Sequence, residues 1–265
     1  MVKQQLTPYP DVNEILQLVL SEVQKVLGGQ FVGMYLYGSL SSGDFHPKGS
    51  DIDYLVVTTT LLAEHTIAEL EAMHQRIWAS GLKWAAKLEG SYLPRGHLPR
   101  FEKMDTAYPT VNEGKFYVAP HGSDWIIQRH IIREQGVVLA GPDPKSMIEA
   151  VGPDDIRRAV RGILEEWWFP MLDDPSWLKN HGSEYHAYAV LTMCRSLHTL
   201  EHGTIASKPT AAKWAQGELG GNWAKVIEQS LETRMGARRF ELYDDALELI
   251  RYTMEKVSAT METSL

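Results

Sequence analysis

The sequence predicts two domains, an α+β (α/β) domain with a mixed sheet over residues 1–152 and an all-α helical bundle domain over residues 153–265. Three observations lead there. Strand-like and helix-like segments alternate through the first half. Gly141-Pro142-Asp143-Pro144 and Gly152-Pro153 bracket a linker. After Pro153 the strand signals vanish and only helical periodicity remains.

Val12, Ile15, Leu16, Val19, Leu20, Val23, Val26 and Leu27 recur at helical spacing, with Asp11 as the expected N-cap and Gly28-Gly29 as the stop. Phe31–Tyr37 is apolar and aromatic and reads as a strand. Gly38–Ser50 is rich in Gly, Ser, Asp and Pro and reads as a loop, and Ile52–Thr60 is the partner strand. A helix is expected over 62–80, a third strand over Trp84–Tyr92 and an irregular connection over 94–114. A short strand follows at Phe116–Ala119, a helix at Trp125–Gln135 and a last strand at Val137–Leu139. In the second half Asp154–Phe169, Ser183–His202, Thr210–Gly217, Trp223–Arg234 and Arg239–Val257 are helix-like, which suits a bundle. Ser258–Leu265 is expected to fray.

Composition narrows the function classes. The formal net charge of −8 argues against a broad nucleic-acid surface, which needs clustered Lys and Arg. The single cysteine, Cys194, excludes an intrachain disulfide and reads as a small buried residue on a helix. Residues 1–10 carry no signal-peptide pattern, and no apolar run approaches the length of a membrane span. A cytoplasmic, monomeric protein without nucleic-acid or membrane partners is expected.

The chemistry concentrates in YGSLSSGDFHPKGSDIDYLVV, Tyr37 to Val57. Residues two apart in a strand face the same way, so Asp51 and Asp53 present two carboxylates on one face while Ile52 points to the core. Such like charges repel, and a cation between them resolves the conflict. Hard oxygen ligands suit Mg²⁺ accompanied by phosphates. A Gly38-Ser39 turn lets backbone amides approach an anion, with the Ser39 hydroxyl as a further donor, and Ser50 adjoins the first aspartate.

Tyr37-Gly38-Ser39 followed by Asp51-Ile52-Asp53-Tyr54 resembles the hG[GS]…[DE]h[DE]h pattern of the polymerase-β-like nucleotidyltransferases. The resemblance implies that Asp51 and Asp53 hold Mg²⁺ and the phosphates of ATP. A third carboxylate from a neighbouring strand is implied too, and Glu89 in AAKLEGSYL stands where it is expected. Glu89 would join the metal set or take the proton from an attacking hydroxyl.

GVVLAGPDP (Gly136–Pro144) and YAVLTMCRSLHTLEHGTIASKPTAAKWA (Tyr188–Ala215) are similar to the AadA family of adenylyltransferases that modify streptomycin and spectinomycin. That likeness implies ATP contacts from Arg195 and Lys208, and a small-molecule aminocyclitol or aminoglycoside acceptor. Glu184 and Trp177 are the nearest acid and aromatic to the implied drug site. An ungapped count back from Arg195 puts Tyr185 and His181 at the two implied positions. The implied reaction is O-adenylylation with release of pyrophosphate. AMP transfer to a protein acceptor, or a non-catalytic nucleotide-binding module, remain the alternatives at this point. Glu165-Glu166 and Asp173-Asp174 read as solvated faces, and Trp167-Trp168 as packing residues.

Overall fold

The computed structural model describes residues 6–48, 50–102 and 105–262. The chain forms two compact units. The first takes the N-terminal segment to Phe45, Ser50–His121 and Gln128–Ala150; the second takes a short stretch beginning at His46, Gly122–Ile127 and the chain from Val151 on.

The first unit is built on six strands: β1 (Phe31–Leu36), β2 (Ile52–Thr58), β3 (Leu88–Pro94), β4 (Ala107–Asn112), β5 (Lys115–Pro120) and β6 (Val137–Ala140). Their order across the sheet is β5-β4-β3-β2-β1-β6. Only β2 and β3 run parallel; every other neighbouring pair is antiparallel, so the sheet is mixed. A parallel pair needs a crossover rather than a hairpin. Helix α3 (Glu64–Trp78) supplies it, after α1 (Pro10–Leu27) and the short α2 (Gly38–Ser42).

Alternation along β2 and β3 divides the sheet into two faces. Ile52, Tyr54 and Val56 on β2 join Leu88 and Tyr92 on β3 in one core. That core also takes Val12, Ile15, Leu16, Val19 and Val23 from α1 and Leu70, Met73 and Ile77 from α3. Within it the fully buried His74 ring meets the Tyr92 hydroxyl at 2.7 Å. Burial lowers the His74 pKa to about 3, so the imidazole is neutral. Asp53 and Glu89 have the opposite parity and face away from this core.

Several boundaries differ from the sequence expectation. Helix α1 begins at Pro10 with Tyr9 as N-cap, because Pro suits the first helical position. Asp11 lies in the first turn instead, where it accepts from the Val12 N–H at 3.0 Å and pairs with Lys83 at 2.8 Å. The expected loop after β1 opens with helix α2. Trp84–Lys87 is not strand; β3 starts at Leu88. The stretch 94–114, expected to be irregular, contains β4. Pro109 hides that strand from a propensity reading. The β3–β4 register holds only Gly90↔Val111 and Ser91↔Thr110, and it stops just before the residue that lacks an N–H.

The second unit is helical: the start of α4 (Asp124–Gln135), then α5 (Pro153–Ile163), a π-helical turn (Leu164–Trp168), α6 (Pro170–Asp173), α7 (Ser176–Asn180), α8 (Ser183–His202), α9 (Lys208–Leu219), α10 (Gly221–Arg234) and α11 (Tyr243–Glu262). Helix α8 is the hub and packs against α5, α9, α10 and α11. Cys194 is fully buried on it, and burial pushes its thiol up to about 12. Helix α11 continues through the segment expected to fray as far as Glu262, and 263–265 lie outside the described residues. No helix among the described residues is long and apolar enough to cross a membrane.

Candidate active site

The parallel ladder between β2 and β3 sets the site. Its register pairs Ile52 with Leu88 and Asp53 with Glu89. The two carboxylates therefore sit side by side on one face. Each is half-buried, while the neighbouring Ile52, Tyr54, Leu88 and Gly90 are buried.

The Gly38 turn closes on Asp53 from β1. The Tyr37 N–H donates to the Asp53 carbonyl at 3.1 Å. Gly38 has φ +66°, and a Cβ there would lie 2.0 Å from Asp53 Oδ2. Only glycine fits, since the backbone conformation and the approaching carboxylate both exclude a side chain. Ser39 follows in α2, and its carbonyl accepts from the Asp44 N–H at 3.0 Å. Ser50 is buried just ahead of the aspartates.

Asp51 lies immediately before β2, and its Oδ1 is 3.2 Å from Lys87 Nζ. Lys87 precedes Glu89 by two residues as Asp51 precedes Asp53, so the pair prolongs the ladder register by one step. Among the described residues no three His, Cys, Asp or Glu side chains converge as a metal centre. Asp53 and Glu89 form an adjacent pair, and Asp51 lies against the Lys87 ammonium. Like charges repel, and Lys87 gives one of them a closer partner. The donors still suit a hard divalent cation, since all are carboxylate oxygens and the Lys87 contact is exposed and exchangeable. The two-residue spacing of Lys87 and Glu89 is the sequence signal that places Lys87 on this face.

In the helical unit Arg195 is half-buried in mid-α8, two turns after Tyr188. Lys208 opens α9 behind the Ser207 N-cap, and its Nζ lies 4.7 Å over the Tyr188 ring. The two expected nucleotide contacts thus lie along one face of α8.

Trp177 on α7 belongs to an aromatic wall. Its ring centroid is 4.0 Å from His181, 5.3 Å from Tyr185 and 5.4 Å from Trp167. Tyr185, not Glu184, turns toward Trp177. Glu184 instead pairs with Arg239 at 2.8 Å, on an exposed surface. Trp168 is buried as a packing residue, but Trp167 is 49% exposed, contrary to the expectation for the pair.

Known proteins resemble this chain over most of its length. Residues 146–259 match the family model of the aminoglycoside adenylyltransferase C-terminal domain. A spectinomycin 9-adenylyltransferase from Campylobacter jejuni is 24% identical, over 96% of this chain and 99% of its own. One from Staphylococcus aureus (strain Mu50 / ATCC 700699) is 27% identical over 77% of each chain. A crystal structure of the spectinomycin adenyltransferase from Enterococcus faecialis with ATP and spectinomycin superposes with a TM-score of 0.74 at 18% identity, covering 92% of this chain and 98% of that one. The architecture, a domain with a mixed sheet followed by a helical domain, is the fold of that adenyltransferase structure. The relatives indicate an adenylyltransferase enzyme.

Proposed function

We propose that this enzyme transfers AMP from ATP to a hydroxyl of an aminocyclitol antibiotic, with spectinomycin as the acceptor, and releases pyrophosphate. The pairing of Asp53 with Glu89 on adjacent strands carries the reading. It supplies one carboxylate held against the Gly38 turn and a neighbour on the same face. Glu89 would accept the proton of the acceptor hydroxyl as its oxygen attacks the α-phosphorus. The bond from that phosphorus to the pyrophosphate oxygen breaks, and the electron pair leaves with pyrophosphate. Asp51, Asp53 and Glu89 would hold Mg²⁺, which would offset the negative charge of the transferring phosphate. Ser39 would donate to a phosphate oxygen, and Arg195 and Lys208 would meet the nucleotide's charge.

The names of the related enzymes support spectinomycin. So does the wall of Trp177, His181 and Tyr185. Streptomycin carries guanidinium groups that call for carboxylates, and the aligned positions hold an imidazole and a phenol. Incubation with ATP, Mg²⁺ and each drug separately, followed by mass spectrometry, tests this. A gain of one AMP on spectinomycin, lost with Glu89→Gln, is expected. No gain on any drug while ATP still binds would reject the acceptor class.

A further inference from the structure

We propose that Asp124, Glu166 and Trp167 form a subsite for a protonated amine of the acceptor. The proposal rests on the aminocyclitol reading above and assigns that ligand's cationic end. These residues, with Ile163, line a concavity of about 290 Å³.

The site is made by a departure from regular helix. After Ile163 the chain takes a π-helical turn over Leu164–Trp168, with the Phe169 N–H donating to the Leu164 carbonyl at 2.8 Å. Such turns widen the helix and are frequent at functional sites. Here the turn separates two adjacent tryptophans: Trp168 goes into the core and Trp167 stands out beside Glu166.

Glu166 is held in place. Its two oxygens accept from the Ser123 N–H and hydroxyl, each at 3.0 Å. Ser123 in turn packs against α5 so closely that a Cβ on Gly162 would meet its Oγ at 2.2 Å. A carboxylate has about four lone-pair sites, so it can accept several donors at once. Asp124, the first residue of α4, brings the second carboxylate. An exposed indole adds a face that attracts alkylammonium groups.

Charge and shape select the ligand. Two carboxylates repel anions, and a half-exposed indole with Ile163 favours the apolar side of a ring. A polyhydroxylated ring bearing a protonated amine satisfies both. Trp167 also meets the Trp177 ring edge-on at 5.4 Å, which joins the concavity to the aromatic wall. The acids absent at His181 and Tyr185 are thereby supplied from the π-turn and the start of α4.

Calorimetric titration of the full-length protein with spectinomycin tests the subsite. Glu166→Gln, Asp124→Asn and Trp167→Ala should each weaken binding by about five- to tenfold, the range for a lost charged hydrogen bond or cation–π contact. ATP affinity should hold. Glu165→Gln, which removes a neighbouring charge outside the concavity, should leave drug affinity unchanged. Trp167→Phe serves where the alanine variant is destabilised, and it should bind more tightly than alanine. Unchanged drug affinity in all three variants, or an equal loss in Glu165→Gln, overturns the subsite while wild-type AMP transfer keeps the acceptor reading. A wild-type protein that neither binds nor modifies spectinomycin overturns both.

Discussion

Asp53 on β2 and Glu89 on β3 are register partners in the one parallel strand pair of the sheet, and their side chains share the face opposite the α1–α3 core. In the proposed reaction this relationship would set Glu89 as the base, with Asp53 as its neighbour at the phosphate. Glu89→Gln keeps the shape and a hydrogen-bonding end but removes the basic site. We expect AMP transfer to fall by about 10²–10⁴-fold, the usual contribution of general base catalysis, with ATP affinity retained. Rapid-quench measurement of AMP transfer beside equilibrium ATP binding checks it. Equal losses in both would assign Glu89 to nucleotide binding instead.

Gly38→Ala places a methyl group 2.0 Å from Asp53 Oδ2, at a backbone φ of +66°. Left-handed backbone in a residue with a side chain costs of order 1–3 kcal/mol, before any displacement of the carboxylate. We expect a lower melting temperature and weaker ATP binding together. Calorimetry with and without ATP measures both, and a variant with wild-type ATP affinity would mean the turn has no part in nucleotide binding.

Lys87→Met releases Asp51 from its ammonium partner at 3.2 Å. The pair is more than a third exposed on both sides, so it contributes only about 0–1 kcal/mol. That corresponds to an affinity for Mn²⁺ up to about fivefold higher, since 1.4 kcal/mol is a factor of ten. Electron paramagnetic resonance of free Mn²⁺ reads the binding directly. Weaker Mn²⁺ binding in the variant would show that Lys87 orders the carboxylates rather than competing at them.

Stability should fall with acid through buried histidines. Burial lowers His74 and His121 to about 3, against about 6.5 for an unperturbed histidine. Near pH 7 both states leave these rings neutral. Below pH 6.5 the unfolded chain takes up protons that the folded chain refuses, until the pH nears 3. Each histidine then contributes a loss of about 1.4 kcal/mol per pH unit across that window. Denaturant titrations from pH 7 to pH 4 measure the slope. His74→Gln should flatten it, and an unchanged slope would move the acid sensitivity to other groups.

Helix α8 matches the sequence expectation residue for residue, Ser183–His202, because its apolar spacing is local and long. Strand β2 was legible for the same reason, from the alternation of Asp51, Ile52, Asp53 and Tyr54. Strand β4 was not: Pro109 breaks the local preference, and only pairing with β3 and β5 makes the segment a strand. Helices α6 and α7 are four and five residues long, too short to show a period. At the site, Asp51, Asp53, Glu89, Gly38 and Ser39 could be read from spacing and residue type. The proposed subsite of Glu166 and Trp167 could not, because adjacent charges and adjacent tryptophans give no hint of a π-turn.

The sequence by itself determined the mixed sheet followed by helices, the carboxylate face and the glycine beside it. Periodicity and steric limits act between near neighbours and leave their mark in order along the chain. Tertiary structure alone decided which residues meet across distance: Asp53 with Glu89, Asp51 with Lys87, Glu184 with Arg239 and Glu166 with Ser123. Those meetings depend on strand register and on the packing of elements far apart in sequence, and a one-residue slip would turn every side chain to the other face.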